Sequence, residues 1–158
     1  MSFPPTIIIR HVRENLKKCS LSGLEGRSDF LFFTYPACAQ GKERLPDLAG
    51  YLLLDVAGEP LTPQDRGSGL ILLDATWRLA VKMQHNIPEL KTLPRRSIPE
   101  GFRTAYPRRQ DDCPDPEAGL ASIEALYIAC WAAGRSLDGL LDMYYWREQF
   151  LSKNQLIL

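Results

Sequence analysis

The apolar run 70–73 ends in an acid, a threonine and an indole: the segment reads LILLDATWR, which places Asp74, Thr76 and Trp77 within four residues of one another. An acid at the carboxyl end of a buried parallel strand stands where open α/β sheets take their ligands. Thr76 is a good N-cap, and a helix starting behind it leaves backbone N–H groups facing outward. Trp77 offers a large apolar wall and a ring for stacking. Each also has a plain structural use, Asp74 as a turn or cap acceptor and Trp77 as core.

A second group is basic. Arg95, Arg96, Arg103, Arg108 and Arg109 lie close together, with Phe102 and Tyr106 among them. Guanidinium forks match phosphate or carboxylate geometry, and interleaved aromatics can stack on bases. Asp111, Asp112, Asp115 and Glu117 follow directly and could satisfy the same arginines on a solvated loop. Arg10, His11, Arg13, Lys17 and Lys18 form a smaller basic patch. Ser122 and Glu124 open an apolar helical stretch, where the positive helix end favours acids and ligand carboxylates. Glu124 is also placed to pair with an arginine of the preceding loop.

Formal net charge is zero, so any nucleic-acid surface must come from local segregation of charge rather than from the total. No G-x-G-x-x-G, phosphate-loop, G-x-S-x-G or H-E-x-x-H pattern occurs, which argues against nucleotide hydrolysis and serine or zinc-dependent hydrolysis. The four cysteines, Cys19, Cys38, Cys113 and Cys130, lack C-x-x-C spacing, and there are two histidines, so no metal is expected. No apolar run approaches the ~20 residues of a membrane span. The first residues lack the apolar core of a signal peptide, and the cytoplasm is the expected compartment, with free thiols.

These groups need a scaffold. Residues 6–10, 29–35, 50–56 and 70–74 read as strands. Three of the runs, 7–9, 52–54 and 70–73, are continuously apolar, which favours a largely parallel sheet covered on both faces. Thr62 and Pro63 read as cap and first position of a short turn over 63–66. A helix is expected over 77–86. Residues 93–99 read as a short segment broken by prolines, and 101–115 as a long loop of the kind that often carries function. Helices are expected over 116–133 and 138–151. The fold class is therefore α/β, with one domain spanning 1–158: a sheet and site in 1–115, and a mainly helical part, 116–158, packed on it.

Four stretches, in order, resemble a known family. They are IIIRHVRENLKKCSLSGL, LTPQDRGSGLILLDATWR, GLASIEALYIA and LLDMYYWREQFLSKNQLIL. The last three are similar to the patterns S/T-P-x-D followed by G-hydrophobic-D-C-S-W, L-S-x-x-E-A and F-x-W-G-x-x-F-x-x-x-N. The family is the DTW/ribosome-biogenesis group of S-adenosylmethionine-dependent 3-amino-3-carboxypropyl transferases, in particular its archaeal and eukaryotic rRNA-modifying branch. Two features depart from that branch. Ala75-Thr76 replaces Cys-Ser, and Leu93-Pro94 leads into RRSIPEGFRTAYPRRQ rather than A-N-P-V-N-Y-G.

The resemblance implies a SPOUT-like knotted fold that binds S-adenosyl-L-methionine and acts on RNA, rRNA ahead of tRNA, as a monomer. By carry-over Asp74 would be catalytic, beside cofactor and target base and able to assist deprotonation of the base nitrogen. Trp77 would line the pocket for the methionine part, Leu93 and Pro94 would give backbone contacts to the adenosine, and Thr76 and Ser122 would complete the pocket. Arg10, Arg13, Lys17, Lys18, Arg95, Arg96, Arg103, Arg108 and Arg109 would hold RNA. A SPOUT-like RNA methyltransferase and a non-catalytic RNA-binding or ribosome-assembly protein are the competing readings.

Overall fold

A computed structural model describes residues 3–12, 21, 23–106 and 120–156. The strands are β1 (Thr6–His11), β2 (Phe30–Tyr35), β3 (Tyr51–Pro60), β4 (Gly69–Asp74) and β5 (Arg95–Ser97). The helices are α1 (Trp77–Asn86), α2 (Ser122–Ala132) and α3 (Arg147–Lys153), with single 3-10 turns at Pro63–Asp65 and Pro88–Leu90. The strands form one sheet in the order β2-β1-β4-β3-β5, and every pairing is parallel. The architecture is thus α/β with a parallel five-stranded sheet and C-terminal helices.

The continuous apolar runs have a direct cause: successive side chains of a strand point to opposite faces, and here both faces are covered. Ile8 of β1 and Leu72 of β4 pack on one side against Ile123, Leu126 and Tyr127 of α2 and against Leu140, Leu141 and Phe150. Their neighbours Ile7, Ile9, Ile71 and Leu73 pack on the other side with Leu53, Met83, Ile87, Leu45 and Leu48. Ile7, Ile8 and Ile9 have no exposed surface, and burying each such side chain contributes ~1.5–3 kcal/mol. All six residues of the central strand β4 are buried.

Local signals explain the short elements. Thr62 Oγ1 accepts from Gln64 N at 3.3 Å and Asp65 Oδ2 accepts from Thr62 N at 3.1 Å, a reciprocal cap on the turn that Pro63 begins. Thr76 caps α1 by accepting from Leu79 N at 3.5 Å. The helix over 77–86 has the expected bounds.

Four elements differ from expectation. The helix expected over 116–133 covers Ser122–Ala132, with 120 and 121 outside it and 116–119 outside the described residues. Residues 95–97 form a strand although prolines flank them. Pro94 lies just outside β5, at the strand start where proline is tolerated, and its carbonyl still accepts from Leu53 N at 2.9 Å. β3 runs on to Pro60 past an irregularity between Leu54 and Glu59. A Cβ at Gly58 would sit 2.4 Å from the Arg95 carbonyl carbon, so the close approach of β3 to β5 at this irregularity requires glycine there. The last helix is confined to 147–153, because Gly139 adopts φ +75° and the chain makes turns through 138–146. Among the described residues no helix is long and apolar enough to cross a membrane.

Candidate functional site

The sheet's carboxyl end gathers an ion pair and a hydroxyl. Arg10 and Asp74 are register partners across β1 and β4, two residues beyond Ile8 and Leu72. Period two therefore sends both side chains to the face that α2 covers. Asp74 is 3% exposed. Its Oδ2 accepts from Arg10 Nε at 3.1 Å, and its Oδ1 accepts from Ser122 Oγ, in the first turn of α2, at 2.7 Å. Arg10 also reaches Glu25, 3.5 Å away, and its guanidinium lies over the Phe32 ring, 5.0 Å from the centroid. β1, β4 and α2 are thus fastened at one point by a nearly buried charge pair, whose mutual attraction and extra hydrogen bonds offset its desolvation.

A cleft of about 720 Å³ is lined by Leu72 and Leu73 of β4 and Ala125 of α2, while Arg10, Asp74 and Ser122 do not line it. Its floor is the middle of β3, with Leu54, and the carboxyl end of β4, with Leu72 and Leu73. Val81 and Gln84 of α1 form one side, and residues 97–103 with Leu120 and Ala125 form the other. The lining is mostly apolar with a few polar groups, Asp55, Ser97, Glu100 and Arg103 among them. Volume, lining and position suit a nucleoside-sized ligand at the carboxyl ends of parallel strands. A second, shallow hollow of about 630 Å³ lies along β2 among Leu31, Phe33, Leu45 and Glu89, and none of the sequence-derived site residues line it.

Arg95 and Arg96 carry structural bonds. Arg95 Nη1 donates to Asp55 Oδ2 at 2.6 Å and to Gln84 Oε1 at 2.5 Å, tying β3 to α1 at the edge of the cleft. Arg96 Nε lies 3.5 Å from Asp65. Arg10, expected among the RNA contacts, instead spans Asp74 and Glu25 with 12% of its side chain exposed. Of the basic residues expected to face RNA, Arg103 lines the cleft, while Arg13, Lys17, Lys18, Arg108 and Arg109 lie outside the described residues. Trp77 begins α1, and its side chain is likewise outside what is described.

Two backbone groups of Leu93 and Pro94 take part in the fold. Leu93 packs on the Ile7–Ile9 side of the core and its N–H donates to Leu90, 3.4 Å away, while the Pro94 carbonyl belongs to the sheet. The cleft wall comes from the residues just beyond, Ser97 to Arg103. Thr76 is exposed and acts as the α1 cap. Two contributors escaped sequence reasoning in their actual roles. Glu124 pairs with no arginine among the described residues; it accepts from Thr104, Ala105, Ala121 and Tyr144. Asn154 brackets the backbone of Arg103. The available signal for the first was a carboxylate inside the apolar stretch GLASIEALYIA.

Burial pushes the thiols of Cys38 and Cys130 up to about 11, which leaves them as packing groups rather than nucleophiles.

No family model matches the chain, and no curated protein matches it. A solved structure shares its fold. The SAM-dependent rRNA:acp-transferase Tsr3 from Vulcanisaeta distributa superposes with a TM-score of 0.67 at 23% identity, over 98% of this chain and 80% of that one. The likeness spans nearly the whole of this chain and shows a shared fold.

Proposed function

We propose that this chain transfers the 3-amino-3-carboxypropyl group of S-adenosylmethionine to a base nitrogen of RNA, rRNA ahead of tRNA. The observation that carries the reading is the cleft of about 720 Å³ at the carboxyl end of β4 and the middle of β3, in a fold similar to that of an rRNA acp-transferase. The residues present fit such a cofactor: apolar walls for the adenosine, and polar groups at Asp55, Ser97 and Arg103 for its ribose and amino-acid ends. In this reading the protein is one domain over 1–158, threaded as a SPOUT-like knot, cytoplasmic and monomeric.

S-adenosylmethionine supplies a sulfonium that activates the carbons bonded to it. When bound, it would let an RNA nitrogen form a bond to the γ-carbon as the carbon–sulfur bond breaks and its electron pair returns to sulfur, releasing methylthioadenosine. The nitrogen's proton passes to water. With so good a leaving group, orientation dominates. Asp74 serves as the anchor that fixes Arg10 and Ser122 beside the cleft, since its oxygens already accept from both. Leu54, Ile98 and Phe102 exclude water and select which carbon faces the RNA.

Calorimetric titration with S-adenosylmethionine tests the reading, with Trp77→Ala and Asp74→Ala alongside. Absence of heat at high protein concentration sinks it. Mass analysis of RNA after incubation with protein and cofactor then decides the chemistry. An added aminocarboxypropyl mass supports it, an added methyl mass replaces it with a methyltransferase, and RNA binding without cofactor binding points to an assembly protein.

A further inference from the structure

One wall of the cleft has little regular structure of its own. β5 ends at Ser97, and the chain runs through Ile98, Gly101 and Phe102 without a helix or strand. Its far end is gripped from two directions. Glu124 is completely buried. Its Oε1 accepts from Thr104 Oγ1 at 2.5 Å and from Ala121 N at 2.8 Å; its Oε2 accepts from Ala105 N and from Tyr144 Oη, both at 2.9 Å. On the other side Asn154 Oδ1 accepts from Arg103 N at 2.6 Å, and its Nδ2 donates to Arg103 O at 2.8 Å and to Phe150 O at 2.9 Å. Lys153 Nζ donates to Thr104 O at 3.2 Å. Three consecutive residues, Arg103 to Ala105, are thereby tied to α2, to Tyr144 and to the end of α3.

Glu124 stands in the first turn of α2, where it caps Ala121 N, yet it is completely buried, and a buried carboxylate is stable only with partners for its charge. Four convergent donors make it a rigid connector, and fully satisfied buried networks specify one arrangement of the backbone they join. Phe102 adds a lateral contact, edge-on to Trp131 with ring centroids 5.7 Å apart. We propose that Glu124 and Asn154 are positioning residues for the cleft: by fixing residues 103–105 they set the wall from Ile98 to Phe102, and so the affinity for the adenosine-bearing ligand. The identity of that ligand rests on the reading given above; the grip on the wall does not.

The experiment compares wild-type, Glu124→Gln, Tyr144→Phe and Asn154→Ala proteins as full chains. Amide hydrogen exchange without ligand reports the wall, calorimetric titration with S-adenosylmethionine reports the site, and thermal unfolding reports the fold. Glu124→Gln keeps the size but sets an amide N–H₂ where N–H and O–H donors converge. Tyr144→Phe and Asn154→Ala are milder and keep α2 intact. The expected result is exchange at residues 103–106 faster by about tenfold, and S-adenosylmethionine affinity weaker by about tenfold, the scale of losing one good hydrogen bond. The two effects appear together in Asn154→Ala and Tyr144→Phe proteins that unfold cooperatively near the wild-type temperature. Unchanged exchange overturns the grip, and faster exchange with unchanged affinity overturns the positioning role. A wild-type protein that gives no heat overturns the cofactor reading instead, and the exchange measurement then decides the grip by itself.

Discussion

Ser122 donates its hydroxyl to Asp74 at 2.7 Å across 48 residues of sequence, joining the first turn of α2 to the last residue of the central strand. The same carboxylate holds Arg10, so three elements converge on one side chain. The arrangement makes Asp74 a fastener first. It also gives the surrounding chemistry a fixed geometry, because neither β4 nor α2 can shift without breaking a short, partly buried bond.

Removing the fastener has unequal costs. Asp74→Ala leaves the Arg10 guanidinium largely buried with its nearest carboxylate gone, and is expected to destabilise by ~3 kcal/mol. Ser122→Ala removes one neutral donor and is expected to cost ~1 kcal/mol. Chemical denaturation of the two variants checks the ranking, and equal stabilities would contradict it.

The cleft can be blocked without touching the core. Val81 is 60% exposed on α1 and lines the opening. Val81→Trp should therefore leave the unfolding temperature within about two degrees, as surface changes usually do. It should also weaken S-adenosylmethionine binding at least ~10-fold by occupying the mouth. Undiminished affinity in that variant would move the site elsewhere.

The thiols give stability a pH dependence with a definite sign. Burial raises Cys38 and Cys130 from 9.0 to about 11, so the folded state holds these protons more tightly than the unfolded chain. Their contribution is complete below pH 9 and is lost as pH rises toward 11. Denaturation midpoints should fall over that window and fall less in Cys38→Ala protein. The native thiols should also resist alkylation at pH 8 until denaturant is added.

RNA affinity should separate the arginines into two classes. Arg95 and Arg96 are bonded to Asp55, Gln84 and Asp65, so Arg95→Ala should lower stability more than it lowers RNA binding. Arg108→Ala and Arg109→Ala should each reduce the slope of log affinity against log salt by about 0.7–0.9, the value for one lost phosphate contact. Filter binding across a salt series reads both. Equal slopes for the wild type and both variants would remove the loop from the RNA surface.

The sheet was legible because its apolar runs are unbroken and bounded by turn residues, Pro5 before Ile7–Ile9 and Gly69 before Leu70–Leu73. α1 was legible from Thr76 and the spacing behind it. Strand β5 was not, because three residues between prolines carry no period, and their pairing to β3 depends on Gly58 some forty residues earlier. The importance of Asp74 showed in its place after a buried strand. Its partners did not, since Arg10 looked like a surface base until the register set it opposite. Glu124 was readable as a helix-start acid, yet its four donors come from segments that only tertiary folding brings together. Leu93 and Pro94 introduce β5, and the wall of the cleft starts where that strand ends.

The position of β4 has a kinetic meaning. It sits between β1 and β3, and its pairing with β1 aligns Ile7 with Ile71 and Arg10 with Asp74. These are distant partners, and closing such long loops must precede the contacts that reward it, which places the chain among slow-folding topologies. Ser122 must arrive after that. During synthesis the strand bearing Asp74 therefore emerges long before its hydroxyl partner, and the site is among the last parts of the molecule to come into existence.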